Sequence, residues 1–189
     1  MPTKLKHSSS YSMYFCTFTC FQWIDLFKIT NSYHCVYKWF EYLHKKKIDV
    51  VCYIIMPNHL HCILYFPNEE FDLNKIVSNA KRFMAYEIIK RLESSKQADL
   101  LGQLAAGVSL RESKKGQKHK VFEESFDAKP IYSHAFLVQK LEYIHHNPTR
   151  GKWNLATDFV SYEHSSAAVY EMGKSKHFKP THYMDVGGL

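Results

Sequence analysis

This sequence predicts an α+β fold, an antiparallel sheet with helices packed on it, and three observations predict it. Two strand-like runs, 48–56 and 59–66, are separated only by turn residues, as in a hairpin. Stretches of helical periodicity fall between strand-like runs and not within them. Hydrophobic residues fill 46% and aromatic residues 15% of the 189 positions, enough for one sizeable core and a single domain over 1–189.

Tyr11–Phe21 (YSMYFCTFTCF) is rich in aromatic and β-branched residues and reads as a first strand. From Asn31 to Lys47 the pattern turns helical, with Cys35, Val36, Trp39, Phe40 and Leu43 on one stripe. Lys45, Lys46 and Lys47 end it, where cations suit the helix dipole. Ile48–Met56 and His59–Phe66 are the second and third strands, with Pro57 and Asn58 in the turn. Asp72 caps a long helix to Leu92, whose expected buried face is Leu73, Ile76, Val77, Ala80, Phe83, Met84 and Ile88. Residues 93–120 are poor in aromatics and carry Gly, Ser and Lys, so a flexible insert is expected, with a short helix around Leu100–Ala106. Lys120–Phe126 alternates like a fourth strand. Ser133 caps a last helix, Ala135–His146, that stops before Pro148. From Trp153 onward no single pattern holds. The order β-α-β-β-α-insert-β-α is that of a split βαβ, ferredoxin-like sheet, with helices expected on one face.

The net charge of +7 favours a polyanionic partner, nucleic acid before an anionic membrane surface. A membrane span is not expected: the longest apolar run, Ile48–Phe66, is broken by MPNH and holds Asp49 and two histidines. MPTKLKHSSS has charge but no apolar run behind it, unlike a signal peptide. Five cysteines (Cys16, Cys20, Cys35, Cys52, Cys62) without a CxxC pair read as reduced thiols of a cytoplasmic protein.

Chemistry concentrates in two places. In a strand, His59 and His61 project to the same face, roughly 6.5–7 Å apart, with Leu60 and Cys62 on the other. Two imidazoles so placed can share a metal ion; ordinary hydrogen-bonded histidines are the plainer alternative. In LEYIHHNPTRGKW, Tyr143 and Asn147 are four residues apart and share a helical face. Taken singly, Tyr143 reads as an amphipathic packing residue and Asn147 as a helix-end residue. A histidine-triad nucleotide hydrolase would need a third alternating histidine, where Ile63 stands. A zinc deaminase would need H-x-E and a cysteine pair, and the chain has neither.

Together, MPNHLHCIL and YIHHNP resemble the paired signatures of the single-tyrosine HUH transposases, specifically the REP-associated tyrosine transposase type. AKRF, VFEESF and SYEHSS add to the resemblance, which runs in order from Tyr11 to Ser166. It implies a metal-dependent single-stranded DNA endonuclease and transposase that cuts and rejoins DNA through a 5′-phosphotyrosine link, at hairpin-flanked sites. Tyr143 would be the nucleophile, and His59, His61 and Asn147 the ligands of Mg2+ or Mn2+. Imidazoles alone suit zinc, copper, nickel or iron better, so magnesium or manganese comes from the resemblance. It further implies a homodimer, associated with the nucleoid when DNA-bound. The alternative is a domesticated relative that holds DNA hairpins without cutting. Two departures stand out: NPTRGKWNL replaces the family's usual N-P-V, basic residue, A-G-L-V, and MPTKLKHSSS is shorter than the basic element that many members carry. Basic residues expected to meet phosphates are Lys81 and Arg82, then Lys114, Lys115, Lys118, His119 and Lys120, then Arg150 and Lys152.

Overall fold

The structure, a computed structural model, describes residues 11–68 and 70–187. The segment MPTKLKHSSS lies outside the described residues. The strands are β1 (Met13–Thr19), β2 (Asp49–Ile55), β3 (His59–Tyr65) and β4 (Asp127–Pro130). The helices are α1 (Leu26–Ile29), α2 (Tyr33–Lys45), α3 (Leu73–Ser94), α4 (Ala98–Ala106), α5 (Leu110–Ser113), α6 (His134–His145) and α7 (Ala167–Met172). The sheet order is β2-β3-β1-β4 with every neighbouring pair antiparallel, which is the ferredoxin-like arrangement. β3 therefore has a strand on each side. Its register sets Thr17 opposite His61 and Thr19 opposite His59.

The sheet is covered on both faces. Tyr14, Cys16, Phe18, Leu60, Cys62 and Leu64 pack with Val36, Phe40 and Leu43 of α2 and Val77, Met84 and Ile88 of α3. Met13, Phe15, Val51, Ile54 and Ile63 pack with Leu137, Leu141 and Ile144 of α6. Helices on one face only were expected; α6 instead lies on the face opposite α2 and α3. Strands that are apolar on both sides have two faces to bury, and the stripe of α6 supplies the second cover.

Three other expectations change. Lys120–Phe126 forms no strand; Phe122 makes an isolated bridge to Cys20, and the fourth strand begins at Asp127. Lys81 Nζ donates to the carbonyls of Glu123 (2.6 Å), Glu124 (3.2 Å) and Ser125 (3.5 Å), so acceptors that a ladder would use are turned toward α3. Phe83 does not join the buried face of α3 but is 63% exposed. At about 100° per residue it sits well round the helix from Met84, which is buried. Residues 93–120, expected as a flexible insert, carry α4 and α5. Leu104 is buried, Leu100 and Leu101 pack on the core, and Ser109 and Glu112 form a capping box for α5.

Asp72 and Ser133 cap α3 and α6 as expected, accepting from Lys75 N (2.9 Å) and Phe136 N (3.3 Å). The C-terminal segment that sequence patterns left open closes the edge of β2. Ile55 N donates to His164 O (2.8 Å), Ser166 N to Tyr53 O (3.0 Å), and Tyr53 N to Ser166 Oγ (3.0 Å). The five cysteines are free, and all but Cys35 are buried. No described helix is long and apolar enough to cross a membrane.

Candidate active site

β3 and α6 meet on one face of the sheet, and the expected site residues meet there with them. The rings of His59 and His61 lie 4.7 Å apart, edge to face. Tyr143, on α6, approaches His61 at 5.2 Å and Phe15 at 6.0 Å, both edge to face, and remains 40% exposed. Phe15 in turn stacks on His61 at 5.5 Å. The Asn147 side chain lies close enough to His59 to favour the protonated ring. Tyr143 and Asn147 were expected on one helix, but α6 ends at His145 and Asn147 opens a 3-10 turn through Thr149. Pro148 explains the change, since it has no N–H to extend α6 and disfavours helical backbone before it.

Both histidines have one ring nitrogen committed. His59 Nδ1 donates to Asn58 Oδ1 at 2.7 Å. That amide is fixed in orientation because Asn58 Nδ2 donates to Trp23 O (2.8 Å) and Asp25 Oδ1 (3.0 Å). Thr17 Oγ1, directly across the ladder, lies 2.6 Å from His61 Nδ1. With the protons on Nδ1, Nε2 of each ring carries the lone pair a metal needs. Burial pushes the His59 imidazole down to about 4, against the opposing influence of the Asn147 side chain, and Lys152 lowers it further. Burial also holds His61 well below its ordinary value, helped by His59 and Lys140. Both rings are therefore neutral near pH 7, as ligands must be. Two neutral imidazoles beside a carboxamide fit a divalent cation, and the donor set does not choose among such cations.

Lys140, one turn before Tyr143 on α6, was missed. Its Nζ stands 4.9 Å from the Phe15 ring centre, 5.1 Å from Phe136 and 5.5 Å from Tyr143. The i, i+3 spacing from Tyr143 was the available signal. Burial lowers the Lys140 ammonium, as does Lys129. Trp23 and Trp153 were also missed. They flank His59 at 5.6 Å and 6.0 Å, and Lys152 Nζ lies 5.2 Å over the Trp153 ring.

The other basic residues divide. Arg150 and Lys152 are exposed and follow the Asn147 turn. Arg82 is exposed over the Phe83 ring at 4.9 Å, on the opposite face of the sheet with α3. Lys81 spends its ammonium hydrogens on the 123–125 carbonyls, and burial pushes it down to about 8 despite Glu123 and Glu124. Lys120 is ion-paired to Glu112 at 3.1 Å. Lys114, Lys115 and Lys118 are exposed after α5, and His119 is half-buried.

A second group of metal-ligand type, Glu163, His164 and His177, has its ligand atoms within 4.8 Å of one another. Glu163 Oε1 there accepts from Lys176 Nζ and His177 Nε2, each at 2.8 Å, and His164 Nδ1 lies 2.9 Å from the Tyr37 hydroxyl. These residues sit in the segment whose pattern could not be placed from sequence.

No protein-family profile matches the chain, and no curated protein matches it. Among solved structures it is similar to a REP-associated tyrosine transposase bound to a REP hairpin. The TM-score is 0.57 at 15% identity, over 100% of this chain and 92% of that one. At that identity the likeness establishes a common fold, the sheet and packed helices on which the histidine pair and Tyr143 are mounted.

Proposed function

We propose that the chain is a metal-dependent single-stranded DNA endonuclease and transposase that acts through a 5′-phosphotyrosine intermediate. The observation that carries this reading is the convergence of His59, His61, Asn147 and Tyr143 from distant parts of the sequence into one half-open site. The transposase of similar fold was solved with a hairpin, which makes a hairpin-containing single strand the partner to test first. Nucleoid association would follow from that binding.

His59, His61 and Asn147 would hold Mg2+ or Mn2+. When bound, the ion would draw charge from a nonbridging oxygen of the scissile phosphate. Tyr143 contributes the nucleophile. Its phenolic oxygen attacks phosphorus, the bond from phosphorus to the 3′-oxygen breaks, and that oxygen takes a proton to leave as a 3′-hydroxyl. The phenolic proton passes to solvent at the exposed side of Tyr143. Lys140 places a positive charge beside the ring where the phenol loses that proton. Arg150 and Lys152 offer charge to flanking phosphates. The phosphotyrosine ester keeps the energy of the broken bond, so another 3′-hydroxyl can reverse the step without ATP.

The test is covalent trapping. Labelled single strands and hairpins from the DNA flanking the coding sequence are incubated with the protein and Mn2+ or Mg2+, then resolved on a denaturing gel. A shifted band that needs metal and disappears in Tyr143→Phe and His59→Ala supports the reading. Tight, metal-independent hairpin binding without any adduct would replace it with the non-cutting hairpin binder.

A further inference from the structure

We infer that Trp23 is a stacking platform for an unpaired base next to the scissile phosphate; this rests on the function proposed above. Trp23 and the preceding Gln22 both have left-handed backbone, φ 59° and 52°, a conformation that bulky side chains rarely adopt. Left-handed backbone at two successive non-glycine residues persists only where the surroundings fix it. Here three hydrogen bonds do so. Gln22 N donates to Glu123 Oε1 (2.9 Å), Trp23 N to Cys20 O (3.1 Å), and Asn58 Nδ2 to Trp23 O (2.8 Å).

The turn does not serve to bury the indole. Trp23 is 57% exposed, whereas Trp39 in the core is 7% exposed. What the turn does is stand the indole at the edge of the site, with its ring 5.6 Å from His59 and steeply inclined to it, at 71°. Trp153 lies on the same imidazole at 6.0 Å, half-buried, with the Lys152 ammonium over it. A large aromatic face beside cations and a metal-ligand histidine is the combination that single-strand binders use, ring against base and charge against phosphate. Asn58 ties the two functions together, since one amide holds both the Trp23 carbonyl and the His59 ring. The position of the stacked base is thus coupled to that of the ligand, with no base-specific hydrogen bond required of Trp23. Trp23 would place the strand without reading its sequence.

The experiment uses the full chain carrying Tyr143→Phe, so that cleavage does not interfere. Oligonucleotides from the flanking DNA are prepared with a single abasic site walked through each position, and affinities are measured with and without Trp23→Ala. Trp23→Ala is expected to weaken binding roughly tenfold to hundredfold. One abasic position should cost the parent the same factor and cost Trp23→Ala nothing further. Trp23→Tyr should restore most of the affinity, and Tyr86→Ala, an exposed aromatic on the opposite face, should change nothing. Mn2+ affinity measured without DNA should be unchanged in Trp23→Ala. Equal abasic penalties with and without Trp23, or a loss of Mn2+ affinity that accounts for the defect, would overturn the stacking role. If the parent binds none of the single strands or hairpins, the proposed function falls and the stacking role with it. If it binds them and Trp23→Ala binds as well, the stacking role alone falls.

Discussion

Asn58 Oδ1 lies 2.7 Å from His59 Nδ1, and both hydrogens of that amide are spent on Trp23 O and Asp25 Oδ1. The amide cannot turn over without losing both of those bonds, so it dictates which nitrogen of His59 carries the proton. Loss of a group that orients a ligand histidine typically costs about 10–100-fold in metal affinity. Asn58→Ala is therefore expected to weaken Mn2+ binding by about that factor while His59 itself is untouched. Titration calorimetry with Mn2+, beside a melting curve showing the variant folded, checks it. Unchanged affinity in a folded variant would remove Asn58 from the site.

Burial also sets how the site responds to acid. An exposed histidine pair would begin to lose metal near its ordinary value of 6.5, but His59 is pushed down to about 4 and His61 is also lowered. Mn2+ affinity is expected to stay level from neutral pH down to about 5.5, because proton competition begins only near the folded-state values. A midpoint of metal loss near 6.5 would show that the two rings are open to water.

The same physics acts on stability through His145, which is 5% exposed with Nε2 2.9 Å from Ser166 Oγ. Burial lowers this imidazole to about 4, from an ordinary value of 6.5. A depressed folded-state value means that the unfolded chain binds the proton more tightly. The His145 contribution to stability is then full above 6.5 and falls as pH drops through 6.5 toward 4, by up to about 3 kcal/mol. Urea unfolding at about pH 7 and pH 5 should show the fall, and His145→Gln should reduce it by the His145 share, leaving the part due to His59, His61 and His164, which are lowered as well. An undiminished fall in that variant would assign it to other groups.

The sheet was legible because hydrophobic periodicity and turn residues are local, and MPNH between two apolar runs leaves few alternatives to a hairpin. The placement of α6 was not, because a stripe at 137, 141 and 144 shows that a helix is buried but not against which face. Lys120–Phe126 misled for a related reason. Val121 and Phe122 are both buried although adjacent, where a half-buried strand would bury every second residue, and Lys81 captures the carbonyls that follow; no local pattern reports a partner some forty residues away. At the site, the expected residues were those whose types and spacing carry chemistry. Trp23 and Asn58 act through a turn and a long-range amide contact, and Lys140 through its closeness to three rings.

Lys81 and Lys152 should separate in a DNA-binding assay. Lys81 is tied to three carbonyls, so Lys81→Met is expected to cost about 1–2 kcal/mol of stability and leave DNA affinity unchanged in the folded protein. Lys152 is exposed near His59, so Lys152→Ala should weaken DNA binding across sequences and reduce the slope of log affinity against log salt by about one. Salt titrations of both variants decide it, and a lowered slope for Lys81→Met would return that lysine to the DNA-contacting set.

Lys140 offers the sharpest separation of binding from chemistry. Its ammonium is held over three rings, 5.5 Å from the centre of Tyr143, and it is half-buried, so water screens it less than a surface charge. If its charge acts mainly where the phenol gives up its proton, Lys140→Met should slow single-turnover adduct formation more than it weakens DNA binding. The expected loss in rate is about tenfold, equivalent to about 1.4 kcal/mol of barrier. Lys140→Arg, which keeps the charge, should recover much of the rate. A phosphate-binding role predicts the opposite pattern, with affinity falling as far as the overall rate and saturating DNA restoring the adduct. Rapid-quench measurement of adduct formation at saturating oligonucleotide distinguishes the two, because at saturation only a defect in the bond-breaking step persists.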